Sequence, residues 1–345
     1  MGYFKAFLLL FVGVALGGPV MDRLIQYLEA YENAAGHPIP HSCNPNSTLV
    51  QWKKPSTLDF VHIPKCGGTT FDTVMRNVTR SADSPYKYLT AQKCYFDKFP
   101  FRYPLPNNIY KLVFFRSPVT HVHSQFSICR DSNWAIKKRI RTPNDFVVTK
   151  NYTHDYESFL NHFVRLVPSQ VGPEVDFDCE DPRDTQTRHM SCDVIHNGVI
   201  AHQMHSIHPA NHALPSPLDL SLSVRNLQNA SFIGLVEFYS ESLQMLSYRL
   251  FSDFHRLDSD VHITHGTTAF HVSDGILQLL PRVHALVKTD NKLYHAALLR
   301  FFCDIRQIER IAQVDKCILC DDAVVAAIEK QVLLGVISDE VRQLF

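Results

Sequence analysis

The stretch His62-Ile63-Pro64-Lys65-Cys66-Gly67-Gly68-Thr69-Thr70-Phe71 constrains this chain more than any other. It overlaps the end of an apolar run, Leu58-Asp59-Phe60-Val61-His62-Ile63, that reads as a buried strand. Beyond the glycines, Phe71, Val74 and Val78 recur at helical spacing. A strand that turns through glycine straight into a helix gathers unbonded N–H groups and the positive end of the helix dipole at one point. Such a point binds anions. Within the turn, Gly67 and Gly68 are expected to let the backbone approach a ligand, and Thr69 and Thr70 to cap the helix and donate hydroxyls. Lys65, next to Cys66, adds a mobile point charge. The nucleotide-triphosphatase loop, G-x-x-x-x-G-K-[ST], carries its lysine after the glycines. Here the lysine comes first.

The pattern recurs downstream. Ile109–Phe115 and Ser231–Val236 are β-rich runs bounded by turn signals, and Pro118 suits the first turn of a helix. Tyr239–Phe254 and Asn291–Ile311 read as helices. Strand, turn and helix in alternation predict one α/β domain over 58–345, a P-loop-like parallel sheet flanked by helices. Residues 22–57 read as a stem: a helix-like stretch, Arg23–Ala35, then an extended connector rich in proline and asparagine. Residues 168–215 lack periodicity and read as a long functional or disulfide-tied loop region.

The order Pro-Lys-x-Gly-Gly-Thr-Thr after Phe-Val-His-Ile closely resembles the 5′-phosphosulfate loop of carbohydrate sulfotransferases, of the heparan 2-O/6-O-sulfotransferase type. Those enzymes use 3′-phosphoadenosine 5′-phosphosulfate (PAPS). Phe114-Phe115-Arg116-Ser117-Pro118, with Ser124 eight residues after the arginine, resembles the 3′-phosphate signature of the same family. Arg116 can fork onto a phosphate, and Ser124 lies one to two turns into the following helix. Gln186-Thr187-Arg188 partly resembles an Asn-x-Gln-Thr-Arg segment, with Asp184 in the asparagine position; this implies acceptor contacts from Gln186 and Arg188. Phe232–Glu237 followed by Ser242-Leu243, and Asp290 with Leu293-Tyr294, resemble two further family segments. The resemblance spans about 58–312. It implies the sulfotransferase fold, PAPS as co-substrate with no metal, and sulfonate transfer to a carbohydrate hydroxyl.

Such transfer needs a base for the acceptor proton. Relatives place a histidine or glutamate between the two phosphate motifs, whereas Phe71 to Phe115 contains neither. Its carboxylates are Asp72, Asp83 and Asp97. Tyr88 stands where relatives carry histidine, and a phenol of pKa about 10 is a poor base at neutral pH. Three explanations stay open: Asp72 as base beside Lys65; a histidine from elsewhere (His121, His123 or the Ala201–His205 segment); or a weak or inactive protein that binds glycan or a protein partner. Ordinary packing for the histidines, and helix-dipole complementarity for Asp72, compete with catalysis. A P-loop kinase is disfavoured by the position of the lysine.

Composition sets the compartment. Equal numbers of basic and acidic residues, 34 each, argue against a nucleic-acid binder. Residues 1–21 read as a cleaved signal peptide or a signal anchor, with Lys5 on the cytosolic side. Either reading places the rest in the secretory lumen, as a Golgi membrane protein of type II or a secreted one. Nine cysteines suit that oxidising compartment, as do sequons at Asn46, Asn77, Asn151 and Asn229. Cys317 and Cys320 read as disulfide-forming, with Cys303 as one potential partner, and Cys179 and Cys192 as a loop staple. Lys137–Arg141 and His202, His205 and His208 read more simply as solvated surface than as glycan or metal sites.

Overall fold

Four short β-rich segments align side by side to make the centre of the protein: β1 (Ser56–Val61), β2 (Tyr86–Ala91), β3 (Ile109–Phe115) and β4 (Phe232–Leu235). The computed structural model describes residues 17–44, 46, 56–80, 83–91, 108–131, 149, 151–165, 182–191, 217–254, 257, 274–312 and 322–337. The strands lie in the order β2-β1-β3-β4, every neighbouring pair parallel. Helices flank the sheet, which explains why β3 and β4 read as nearly continuous apolar runs. β2 escapes the sequence reading because Tyr86–Ala91 is an edge strand with Lys87 exposed and Tyr88 only partly buried, so no apolar run announces it.

One polar pair crosses this core. The register sets Asp59 of β1 opposite Lys111 of β3, and Lys111 Nζ donates to Asp59 Oδ2 at 2.6 Å with both side chains fully buried. Removing either partner alone would strand a buried charge.

The chain leaves β1 for β2 on one side, then crosses to β3 on the other. The gap between the carboxyl ends of β1 and β3 is therefore a topological switch point, where open α/β sheets bind ligands. From these two ends rise α2 (Gly68–Thr79) and α3 (Pro118–Asp131).

The other helices are α1 (Gly17–Ala34), α4 (Tyr152–Arg165), α5 (Thr185–Ser191), α6 (Pro217–Asn229), α7 (Tyr239–Phe251), α8 (Asp274–Leu277), α9 (Leu280–Leu286), α10 (Lys288–Ala312) and α11 (Asp322–Leu333). The helix-like stretch expected at Arg23–Ala35 falls within α1, which packs on α10 and buries Met21, Leu24 and Leu28. The disulfide Cys43–Cys303, spanning 260 residues, ties a following single turn (His41–Cys43) to α10, so Cys303 is not the partner expected for Cys317 or Cys320. Within 168–215, the described residues 182–191 include the buried helix α5, packed on α6. Residues 1–16, 137–141, 179, 192, 202–208, 317 and 320 lie outside the described residues. No helix among those described is long and apolar enough to cross a membrane.

Candidate anion site at the β1 and β3 switch point

The turn after β1 has unusual backbone geometry. Lys65 and Gly67 both have positive φ, 63° and 73°, with Cys66 between them outside that region. Alternation of this kind curls successive N–H groups around one concavity. A lysine with positive φ costs about 1–2 kcal/mol, and such strain is held where surrounding structure over-determines it. Here the constraints are visible. Cys66 N–H donates to Ile63 O at 3.3 Å, and His121 on α3 donates its Nε2 proton to Pro64 O at 2.8 Å.

The glycines have reasons beyond ligand approach. Gly67 adopts left-handed backbone as the N-cap of α2, against the Tyr239 ring. A Cβ on Gly68 would fall 2.1 Å from the imidazole of His62, so a larger residue there would have to displace that ring. Thr69 and Thr70 are not caps: α2 starts at Gly68, which puts both in its first turn. No side chain of the N-cap residue covers this helix end.

The turn after β3 closes on the first. Arg116 Nη1 donates to Lys65 O at 3.2 Å, and Arg116 Nε donates to Thr120 Oγ1 at 3.1 Å. Thr120 and Ser124 are four residues apart on α3 and share a face, so Arg116, Thr120 and Ser124 form one polar stripe leading from the switch point. Glu237, just beyond β4, accepts from Ser117 N–H and Thr120 Oγ1, both at 3.0 Å, and from Tyr294 Oη at 2.9 Å.

Gln186 locks the two turns together. Its Oε1 accepts from Arg116 N–H at 2.9 Å and from the Cys66 thiol at 3.6 Å, and its Nε2 donates to Arg116 O at 2.8 Å. It is buried, and these contacts commit its amide within the protein. Arg188 is also buried, and its Nη2 donates to Thr185 Oγ1 at 3.3 Å.

A reciprocal cap holds α5 in place. Asp184 has φ 45°, and its Oδ1 accepts from the N–H groups of Thr289 and Asp290 at the start of α10, both at 2.8 Å. Asp290 in return accepts from Gln186 and Thr187 at the start of α5, at 3.1 and 2.7 Å. Burial, and then the neighbouring Asp184 carboxylate, push Asp290 up to about 7.

The expected bases are distributed unevenly. His121 is fully buried, and burial drives its pKa down to about 3, so it holds the loop as a neutral donor. His123 is hydrogen-bonded to Tyr152 Oη at 2.6 Å, and burial lowers it to about 4. Burial raises Tyr88 far above the ordinary phenol. Asp72 Oδ2 accepts from Arg76 Nε at 2.7 Å, an i,i+4 pair on α2. Sequence reasoning passed over His62, which packs on Gly68 at the base of α2 and feels the charges of both Asp72 and Lys65. Its signal was its place three residues before the lysine.

Among the described residues, the one cluster with metal-type donors, Glu29, Cys43 and Cys303, has its sulfurs joined to each other. No protein-family model matches the chain, and no curated protein matches it.

Proposed function

We propose that this chain transfers a sulfonate group from PAPS to a hydroxyl of a carbohydrate acceptor, in the lumen of the secretory pathway. One observation carries the reading: two turns, each at the carboxyl end of a parallel strand, meet at the switch point and are bonded through Arg116 and Lys65 O. A ligand with two separate phosphate groups suits two such turns. In this reading the first turn, Lys65 to Thr70, takes the 5′-phosphosulfate, and Arg116 with Ser124 takes the 3′-phosphate. Lys65 then stabilises charge growing on the bridging oxygen as the S–O bond breaks. The fold is the sulfotransferase variant of the P-loop-like sheet, and the step needs no metal. The asparagines of all four sequons are exposed, which suits a luminal glycoprotein anchored in the Golgi membrane, or secreted after cleavage.

The test is transfer of labelled sulfonate from PAPS to mixed glycans by the full chain made in a secretory host. Lys65→Ala should lower turnover about a hundredfold to a thousandfold, while affinity for the desulfonated product falls far less. Tight binding of the 3′,5′-bisphosphate without any transfer would favour a non-catalytic glycan-binding protein. Absence of both binding and transfer would overturn the proposal.

A further inference from the structure

The proposed chemistry lacks a proton acceptor, and the segment between the two phosphate-binding motifs supplies no histidine or glutamate. We infer that His62 is the general base for the acceptor hydroxyl, with Asp72 steadying the imidazolium that forms. This rests on the sulfotransferase reading and adds the residue that reading leaves open.

Geometry carries the assignment. The ring stacks on Phe60, centroids 5.6 Å apart and planes 19° from parallel, which fixes its plane. Its Nε2 edge fills the space a Gly68 side chain would need, at the first residue of α2. The ring therefore lies at the helix end where the proposal places the transferring sulfonate. The two charged groups that act on it are Asp72 and Lys65, one of each sign. Asp72 uses Oδ2 for Arg76, and its carboxylate is also faced by the buried Tyr88 hydroxyl. A proton arriving on His62 would add an attractive charge close to that carboxylate. No hydrogen bond from the described residues acts on the imidazole, in contrast to His121 and His123, whose rings are committed to Pro64 O and Tyr152. His62 is half-buried, and burial lowers its pKa, which favours the neutral ring that can accept a proton.

The step balances. The acceptor O–H proton passes to a ring nitrogen of His62 as the acceptor oxygen bonds to sulfur. The bond from sulfur to the bridging oxygen breaks, its electron pair stays on the departing 5′-phosphate, and Lys65 offsets the charge.

The experiment compares native chain, His62→Gln and His62→Ala by turnover with PAPS and glycan, by affinity for the 3′,5′-bisphosphate, and by pH profile. Both variants should lose about a hundredfold or more in turnover and keep product affinity within about threefold. The native rate should fall on the acid side as His62 protonates, below the ordinary histidine range because burial lowers its pKa. That limb should vanish in His62→Gln. Added imidazole should restore part of the His62→Ala rate, since the truncation leaves ring-shaped space. Turnover within about threefold of native in His62→Gln overturns the inference while leaving the sulfotransferase reading intact. Equal losses in turnover and product affinity, without imidazole rescue, also overturn it by showing a packing role. A native chain that neither binds the bisphosphate nor transfers sulfonate removes the sulfotransferase reading, and this assignment with it.

Discussion

Gln186→Leu is the sharpest perturbation of the site's scaffold. The substitution preserves approximate size and apolar contact but deletes both ends of an amide that holds Arg116 N–H at 2.9 Å and Arg116 O at 2.8 Å. Each backbone group left without its partner costs about 1–3 kcal/mol, and Arg116 is half-buried, so water recovers part of that loss. The weak bond from the Cys66 thiol adds little. The expected destabilisation is about 2–4 kcal/mol, or a fall of roughly 3–6 °C in melting temperature. Because Arg116 Nη1 also holds Lys65 O, loosening one turn should loosen the other. Thermal unfolding and titration with the 3′,5′-bisphosphate should therefore both change, with affinity down about tenfold, equivalent to 1.4 kcal/mol. An unchanged melting temperature would refute the claim that Gln186 locks the turns. Lower stability with unchanged affinity would refute the coupling of lock to site.

Two further outcomes follow from the same contacts. Asp290 holds its proton in the folded state at pH values where an unfolded aspartate, of pKa about 3.9, has released it. The folded state then binds more protons, so this group's contribution falls as pH rises from about 4 to about 7; Asp184→Asn keeps an acceptor for both α10 N–H groups, and urea unfolding should show the variant gaining over native toward neutral pH and matching it near pH 4. Replacing Cys43 and Cys303 together by serine should cost about 2–5 kcal/mol in urea unfolding, because the bridge closes a loop across 260 residues and pins α1 and its following turn to α10.

Much of this architecture is readable from residue pattern, and the failures have physical causes. β3 coincides with the apolar run Ile109–Phe115, and β1 starts two residues before its expected first residue. Buried parallel strands and helix stripes leave strong local signals, and Pro118 marks the start of α3. β2 leaves none, since an edge strand needs no apolar run. The Asp59–Lys111 pair depends on strand register, and the Asp184–Asp290 caps join residues over a hundred positions apart, so neither is a local property. Gln186 is the instructive case: a motif resemblance marked the residue, but only burial and partners separate a lock from a ligand contact. His62 carries no local mark beyond its place before the lysine, because it lies at the end of the apolar run, at the foot of the first turn and outside the segment between the two turns. The apolar run before Asp22 suggested a stem beyond it, yet the helix Gly17–Ala34 carries its own buried stripe into the core.

The central claim is that Lys65 and Arg116 mark two phosphate subsites of one nucleotide. Calorimetric titration of the full chain with adenosine 3′,5′-bisphosphate, 5′-AMP and ATP tests it most directly. The bisphosphate should bind tightest, and Arg116→Ala should remove a charge-assisted contact of about 1.5–3 kcal/mol, lowering its affinity roughly tenfold to a hundredfold while leaving 5′-AMP nearly unchanged. Equal binding of the bisphosphate and 5′-AMP by the native protein, or preference for ATP, would contradict the account.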